Sequence, residues 1–207
     1  MNVTFIILNF VILIFSVIVH EISHGYAAYK FGDPTAKVNG RLTFNPIPHI
    51  DIIGTLILPL MLVVTGSQFI FGWAKPVPVN PMNFREPKRD MMLTSLFGPL
   101  SNLGLAIVFS ILYRVSAFLG FSNTIFAAGF QYGAAINVLL FVFNLLPIPP
   151  LDGSKVLMFF LPDNVAEAFR KVERFGFIII IVLLYLGILG NVIYPFMSII
   201  LFFLLGT

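Results

Sequence analysis

Uncharged runs occupy residues 3–19, 52–74, 91–113, 115–151 and 175–207 of this 207-residue chain. Each is long enough to enter or cross a bilayer. A backbone lying in hydrocarbon must satisfy its own N–H and C=O groups, so runs of this kind fold as membrane helices packed on one another and as little else. Charged residues make up only 10% of the chain and hydrophobic ones 58%, too little polar surface to coat a soluble domain of this size. The expected fold is therefore an all-α polytopic membrane protein with about five to six transmembrane segments. No Ser/Gly-rich linker interrupts residues 1–207, which read as a single domain without a soluble appendage.

The run 115–151 exceeds one span; Gly120, Ser122 and Asn123 offer a turn near its start and leave Ile125 to Leu146 as the spanning part. Gly187, Gly190, Asn191 and Pro195 break the last run into two short helices or one kinked helix. The first run lacks a basic segment before Val3 and a small-residue cleavage site, so it is expected to be a retained helix. Phenylalanine, 24 copies, is scattered over the spans as lipid-facing or packing surface.

Ten of the twelve Lys and Arg residues fall in three groups: Lys30, Lys37 and Arg41; Arg85, Lys88 and Arg89; Lys155, Arg170, Lys171 and Arg174. Such groups mark cytoplasmic loops of a multi-pass protein of the cell membrane, and they explain the net charge of +3 without nucleic acid as a partner. If the first helix ends on that side and Met91 begins there, residues 52–80 must enter and return. Ile52 to Val64 can be helical despite Pro59, whereas Phe71 to Asn80 is too rich in Pro and Gly and reads as an extended edge. Irregular backbone at membrane depth survives only against protein or a water-filled cavity, so this re-entrant return is expected to line the functional site; the alternative is a simple loop on the membrane surface after one full span.

The chemistry begins with His20, Glu21 and His24, an H-E-x-x-H pattern at the inner end of the first apolar run. Helical spacing stacks the two imidazoles on one face, where both reach one zinc ion, and offsets Glu21 towards a water beside it. The chain has no cysteine, so a third ligand must be His, Asp or Glu. Asp152 is the candidate, its other reading being a turn carboxylate beside Gly153: it follows the Ile125 to Leu146 span, which runs in the same direction as the first, so both segments reach the same side. Two His and one carboxylate leave an open position, as catalytic rather than structural zinc requires. Asn102 and Asn144 are polar groups within apolar segments that can bind a substrate backbone or an oxyanion, or can instead join helices. His49 stands at the entrance to the re-entrant unit as a secondary site candidate, and Asp51 beside it reads as a helix cap.

HEISHGYAAYKFG, GPLSN and NLLPIPPLDG together resemble the site-2 protease family of intramembrane zinc metalloproteases, peptidase family M50, over most of the chain. The resemblance is to the small branch without PDZ or CBS modules. It implies a three-helix catalytic core with His20 and His24 on the first helix, GPLSN on the second and Asp152 on the third. It also implies hydrolysis of peptide bonds in or near transmembrane segments, with Glu21 as the base and one catalytic Zn2+. An ion transporter or a metal-holding adaptor would need the ligands but not Glu21. The expected partners are the lipid bilayer and a membrane-protein substrate with an unwound transmembrane segment. The active site is expected near the cytoplasmic face, and the short chain leaves room for a regulatory partner or a homo-oligomer.

Overall fold

The computed structural model describes residues 3–65 and 72–206. In chain order the helices are α1 (Val3–Phe31), α2 (Thr35–Val38), α3 (Leu58–Val64), α4 (Pro87–Phe118), α5 (Ile125–Asn144), α6 (Asp152–Phe160), α7 (Asp163–Val172), α8 (Gly176–Tyr185) and α9 (Ile188–Leu205). Four of them, α1, α4, α5 and α9, are long and apolar enough to cross a membrane. The remaining expected segments are shorter: the Ile52–Val64 limb and α8, whose ten residues rise only about 15 Å.

Local signals set the boundaries. α4 opens with Pro87 in its first turn, and Asp90 reaches back to accept the Glu86 N–H at 2.9 Å. Thr124 caps α5 by accepting the Ala127 N–H at 3.2 Å. α5 stops at Asn144, just before Pro147, which cannot continue a helix. The choice left open for the last run resolves as two helices, because Gly187 adopts φ +71 between α8 and α9, a left-handed conformation that glycine takes without strain. Pro195 is accommodated inside α9.

α1, α4 and α5 pack together as the central trio, and α9 closes against α4 and α5. An apolar cluster of Ala106, Val138, Val142, Leu151, Ile180, Leu189 and Ile193 joins α4, α5, α8 and α9. At the far end of α4, Ser110 and Arg114 donate to the Leu204 carbonyl, the latter at 2.7 Å, covering carbonyls that the last turn of α9 leaves open. The outward surface is apolar: Phe10, Val11, Ile107, Ile111, Phe196, Phe202 and Phe203 are all exposed. Leaving one such side chain in water costs about 1.5–3 kcal/mol, so the surface fits lipid.

The three basic loops gather at one end. Asp33, just past α1, accepts the Asn80 N–H at 2.7 Å and an Asn83 side-chain N–H at 2.7 Å, and Lys88 at the start of α4 pairs with Asp163 of α7 at 3.1 Å. Residues 47–57 and 72–80 lie side by side there. Asp51 caps the first limb by accepting the Gly54 N–H at 2.7 Å, as its capping reading requires. A single turn of π-helix, Ile52–Ile57, leads into α3, and the Trp73 N–H returns to the Gly54 carbonyl at 3.1 Å. The two limbs therefore lie against one another. Phe71, the first residue of the expected extended edge, lies outside the described residues; 72–80 contain no helix.

Candidate metal centre

His20 and His24 lie in the C-terminal half of α1, and Asp152 opens α6. Gly153 lets that turn approach closely, because a Cβ there would stand 2.2 Å from the Leu145 carbonyl oxygen at the end of α5. The three side chains converge. The Nε2 atoms of His24 and His20 are 3.0 Å apart, and Asp152 Oδ2 is 3.1 Å from the first and 3.2 Å from the second. His20 and Asp152 are each only 7% exposed, and the other Asp152 oxygen faces Lys155 at 4.0 Å.

The outer nitrogens explain what this triangle can hold. His24 Nδ1–H donates to the Thr94 carbonyl of α4 at 2.8 Å, and His20 Nδ1–H donates to Asn102 Oδ1 at 2.6 Å. With each neutral ring's proton on Nδ1, both Nε2 atoms present lone pairs to one another and to a carboxylate oxygen. Three such atoms at this spacing repel unless a cation lies among them. A tetrahedral zinc with bonds of 2.0–2.2 Å separates its ligand atoms by about 3.3 Å, so the donor set fits that ion.

Gly98, in GPLSN, is what allows α4 to lie against these rings. A Cβ there would come 2.3 Å from His24 Nε2 and 2.7 Å from His20 Cε1. Glu21, next to His20 on α1, also lines the cavity, and its Oε2 accepts the Val77 N–H at 2.7 Å. The return segment therefore lines the site as expected. Alternate residues turn their backbone to the protein: the Lys75 N–H donates to the His49 carbonyl at 2.9 Å, and the Lys75 carbonyl accepts from Arg41 Nη2 at 2.7 Å. His20, Glu21, His24 and Asp152 share a cavity of about 840 Å³ with Ala74, Pro76, Val77, Asn144, Met158 and Phe177.

The secondary candidates separate. Asn144 lines the cavity while donating to the Leu140 carbonyl at 2.9 Å. Asn102 lies outside the cavity lining: it is fully buried between α1 and α5, its amide engaged by His20 and by Asn137 Oδ1 at 2.9 Å. His49 is 3% exposed, lies outside the cavity lining and donates from Nε2 to the Thr43 carbonyl at 2.9 Å; its place is behind the return segment. Sequence reasoning missed Asn137 and Ser16 behind Asn102, and Asp33, whose carboxylate ties α1 to the end of the return. Burial pushes the Asp33 pKa up, but hydrogen bonds from Thr35, Asn83 and Asn80 outweigh it and hold the group below its ordinary value.

Comparison with known proteins decides the family. The model described as "Peptidase family M50" matches residues 119–187. A Bacillus subtilis (strain 168) protein named "Putative zinc metalloprotease YwhC" is 40% identical over 191 residues, which cover 90% of this chain and 84% of that protein. The chain belongs to peptidase family M50. This M50 chain is also 32% identical over 169 residues to Rip2 of Mycolicibacterium smegmatis (strain ATCC 700084 / mc(2)155), covering 82% of the chain and 63% of Rip2. To MJ0611 of Methanocaldococcus jannaschii it is 31% identical over 157 residues, 74% of the chain and 72% of that protein. Both carry the same descriptive name as YwhC. No solved structure matches the chain. With its family and four apolar helices, the M50 chain is a multi-pass membrane protein.

Proposed function

We propose that residues 1–207 form one intramembrane metalloprotease domain, site-2 protease-like, that hydrolyses peptide bonds in or near transmembrane segments of membrane proteins in the cell membrane. His20, His24 and Asp152 hold one zinc ion, and the catalytic base is Glu21. The observation that carries this reading is the convergence of three ligand atoms from His20, His24 and Asp152 in a cavity that also holds a carboxylate on the same helix. The chemistry that zinc supplies when bound is Lewis acidity, which makes water a nucleophile near neutral pH and draws electron density from the scissile carbonyl.

The chain's own residues do the rest. Glu21 is steadied at Oε2 by the Val77 N–H, which leaves Oε1 to take the proton from the attacking water and hand it to the departing amide nitrogen. Asn144, on the cavity wall, offers an amide donor to the oxygen on which charge develops. A helical substrate hides its peptide bonds and must unwind before attack. In the return segment residues 73, 75 and 77 spend their N–H groups on the protein, so the intervening positions turn their backbone outward. Ala74 and Pro76 then offer an edge on which an unwound stretch adds as a strand. The three basic loops support a site near the cytoplasmic face, by the positive-inside rule.

The test is zinc titration of purified protein together with cleavage of membrane-spanning peptides. His20→Ala, His24→Ala and Asp152→Ala should each lose zinc and turnover together, and activity stripped by a chelator should return with zinc. Full turnover in any of the three variants would sink the ligand assignment.

A further inference from the structure

Behind His20 runs a buried hydrogen-bond relay that crosses three helices. His20 Nδ1 meets Asn102 Oδ1 at 2.6 Å, Asn102 Nδ2 meets Asn137 Oδ1 at 2.9 Å, and Asn137 Nδ2 meets both the Gly133 carbonyl and Ser16 Oγ at 2.8 Å. Ser16, Asn102 and Asn137 are fully buried, so water cannot stand in for any of them.

We infer that Asn137 is a positioning residue for His20: acting through Asn102, it sets the direction of this relay and so leaves the lone pair of His20 on Nε2. The inference rests on the proposed role of His20 as a ligand. Its warrant is the one-way character of each group. The Gly133 carbonyl only accepts. Ser16 Oγ gives its own proton to the Ile12 carbonyl at 2.8 Å and so accepts from Asn137 as well. Both neighbours therefore demand the amide nitrogen of Asn137, which turns its oxygen to Asn102. Asn102 must answer with its nitrogen, which turns its oxygen to His20, and His20 must carry its proton on Nδ1.

Asn102 has no other anchor of comparable strength. Its second acceptor, the Ser16 carbonyl, is 3.4 Å away. Without Asn137 the amide can invert, present Nδ2 to the ring and stabilise the tautomer with hydrogen on Nε2, which cannot bind a cation. His24 needs no such device, because its partner is the Thr94 backbone carbonyl, an acceptor that cannot turn over. Asn137 is absent from the cavity lining, so it touches neither substrate nor the reacting atoms.

The experiment is a chelator-competition zinc titration of wild type, Asn137→Leu and the double variant Asn102→Asp/Asn137→Leu. Asn137→Leu is expected to weaken zinc about 10–100-fold, the usual loss when a ligand's hydrogen-bond partner is disrupted. Adding Asn102→Asp should restore affinity to about threefold of wild type, because a carboxylate presents an acceptor whichever way it turns. A packing role predicts no such rescue, since both variants lack the same bonds to Ser16 and Gly133. In parallel, 15N NMR of metal-free protein at alkaline pH, simplified by there being only three histidines, should find the His20 proton on Nδ1 in wild type. Asn137→Leu affinity within about twofold of wild type, or a double variant no tighter than the single one, would overturn the inference while the site reading stands. Should Asn137→Leu fail to fold, the wild-type tautomer decides: a proton on Nε2 overturns it. Wild type that binds no zinc overturns the site reading and this inference together.

Discussion

Replacing Gly98 by Ala adds one methyl group to the face of α4 that touches both imidazoles. The new Cβ would stand 2.3 Å from His24 Nε2, 2.4 Å from His24 Cε1 and 2.7 Å from His20 Cε1. The nearest of these is about 1.1 Å short of ordinary van der Waals contact, on the steep repulsive side of the potential. Neither ring can step aside, since His24 is tied to Thr94 on the same helix and His20 to Asn102, also on α4. Either α1 and α4 part or a ring rotates, and both move a ligand atom by more than the roughly 0.2 Å that a metal site tolerates. Zinc affinity should fall at least about 100-fold, near 2.7 kcal/mol. Alanine's better helix propensity, worth about 1 kcal/mol, offsets part of the overpacking cost, so the metal-free protein should still fold. Zinc titration beside thermal unfolding of the metal-free form separates the two effects. Gly98→Ala binding zinc within about threefold of wild type would refute the claim that close approach at this glycine builds the site.

Other substitutions probe the neighbouring parts. Val77→Pro removes the N–H that holds Glu21 in a segment already extended between Pro76 and Pro78; turnover should drop about 10–100-fold with zinc affinity unchanged, and unchanged turnover would remove that contact from the mechanism. Asn144→Ala should lower the cleavage rate about 10²–10³-fold while zinc binding is kept, as the loss of an oxyanion donor does; a rate within about threefold of wild type would return Asn144 to a purely structural role. Because the folded pKa of Asp33 is depressed, the stability it contributes is complete above its ordinary value of 3.8 and is lost as pH falls through the lower folded value. Asp33→Asn should cost about 1–3 kcal/mol near neutral pH, less at strongly acidic pH, in pH-dependent unfolding; a loss equal at both pH values would contradict this.

The parts of the molecule that were legible beforehand are those that depend on spacing along one helix or on the length of an apolar run. His20 and His24 share a face because they are one turn apart, and Asp152 arrives beside them because two spans run in the same direction. The return of residues 72–80 to the site followed from parity and from the expense of irregular backbone in lipid. What stayed hidden depends on how three helices are rotated about their axes. Asn102 could equally serve substrate or join helices, and only the facing of α4 towards α1 and α5 turns it to the back of His20. Asn137 and Ser16 sit in apolar runs where a polar side chain can equally face a neighbour or its own backbone, so one sequence holds no sign of their partners. The need for glycine at Gly98 is likewise a matter of distance between helices, although its place in GPLSN, four residues before Asn102, marked the segment.

In the proposed function Glu21 moves the proton while His20, His24 and Asp152 hold the ion. The most direct measurement is cleavage of membrane-spanning peptides by purified wild type and Glu21→Gln, each loaded with zinc to the same occupancy in detergent or lipid. Wild type should show zinc-dependent turnover, and Glu21→Gln a loss of at least about 10²-fold with folding and zinc retained. Equal cleavage by the two proteins would contradict this role of Glu21.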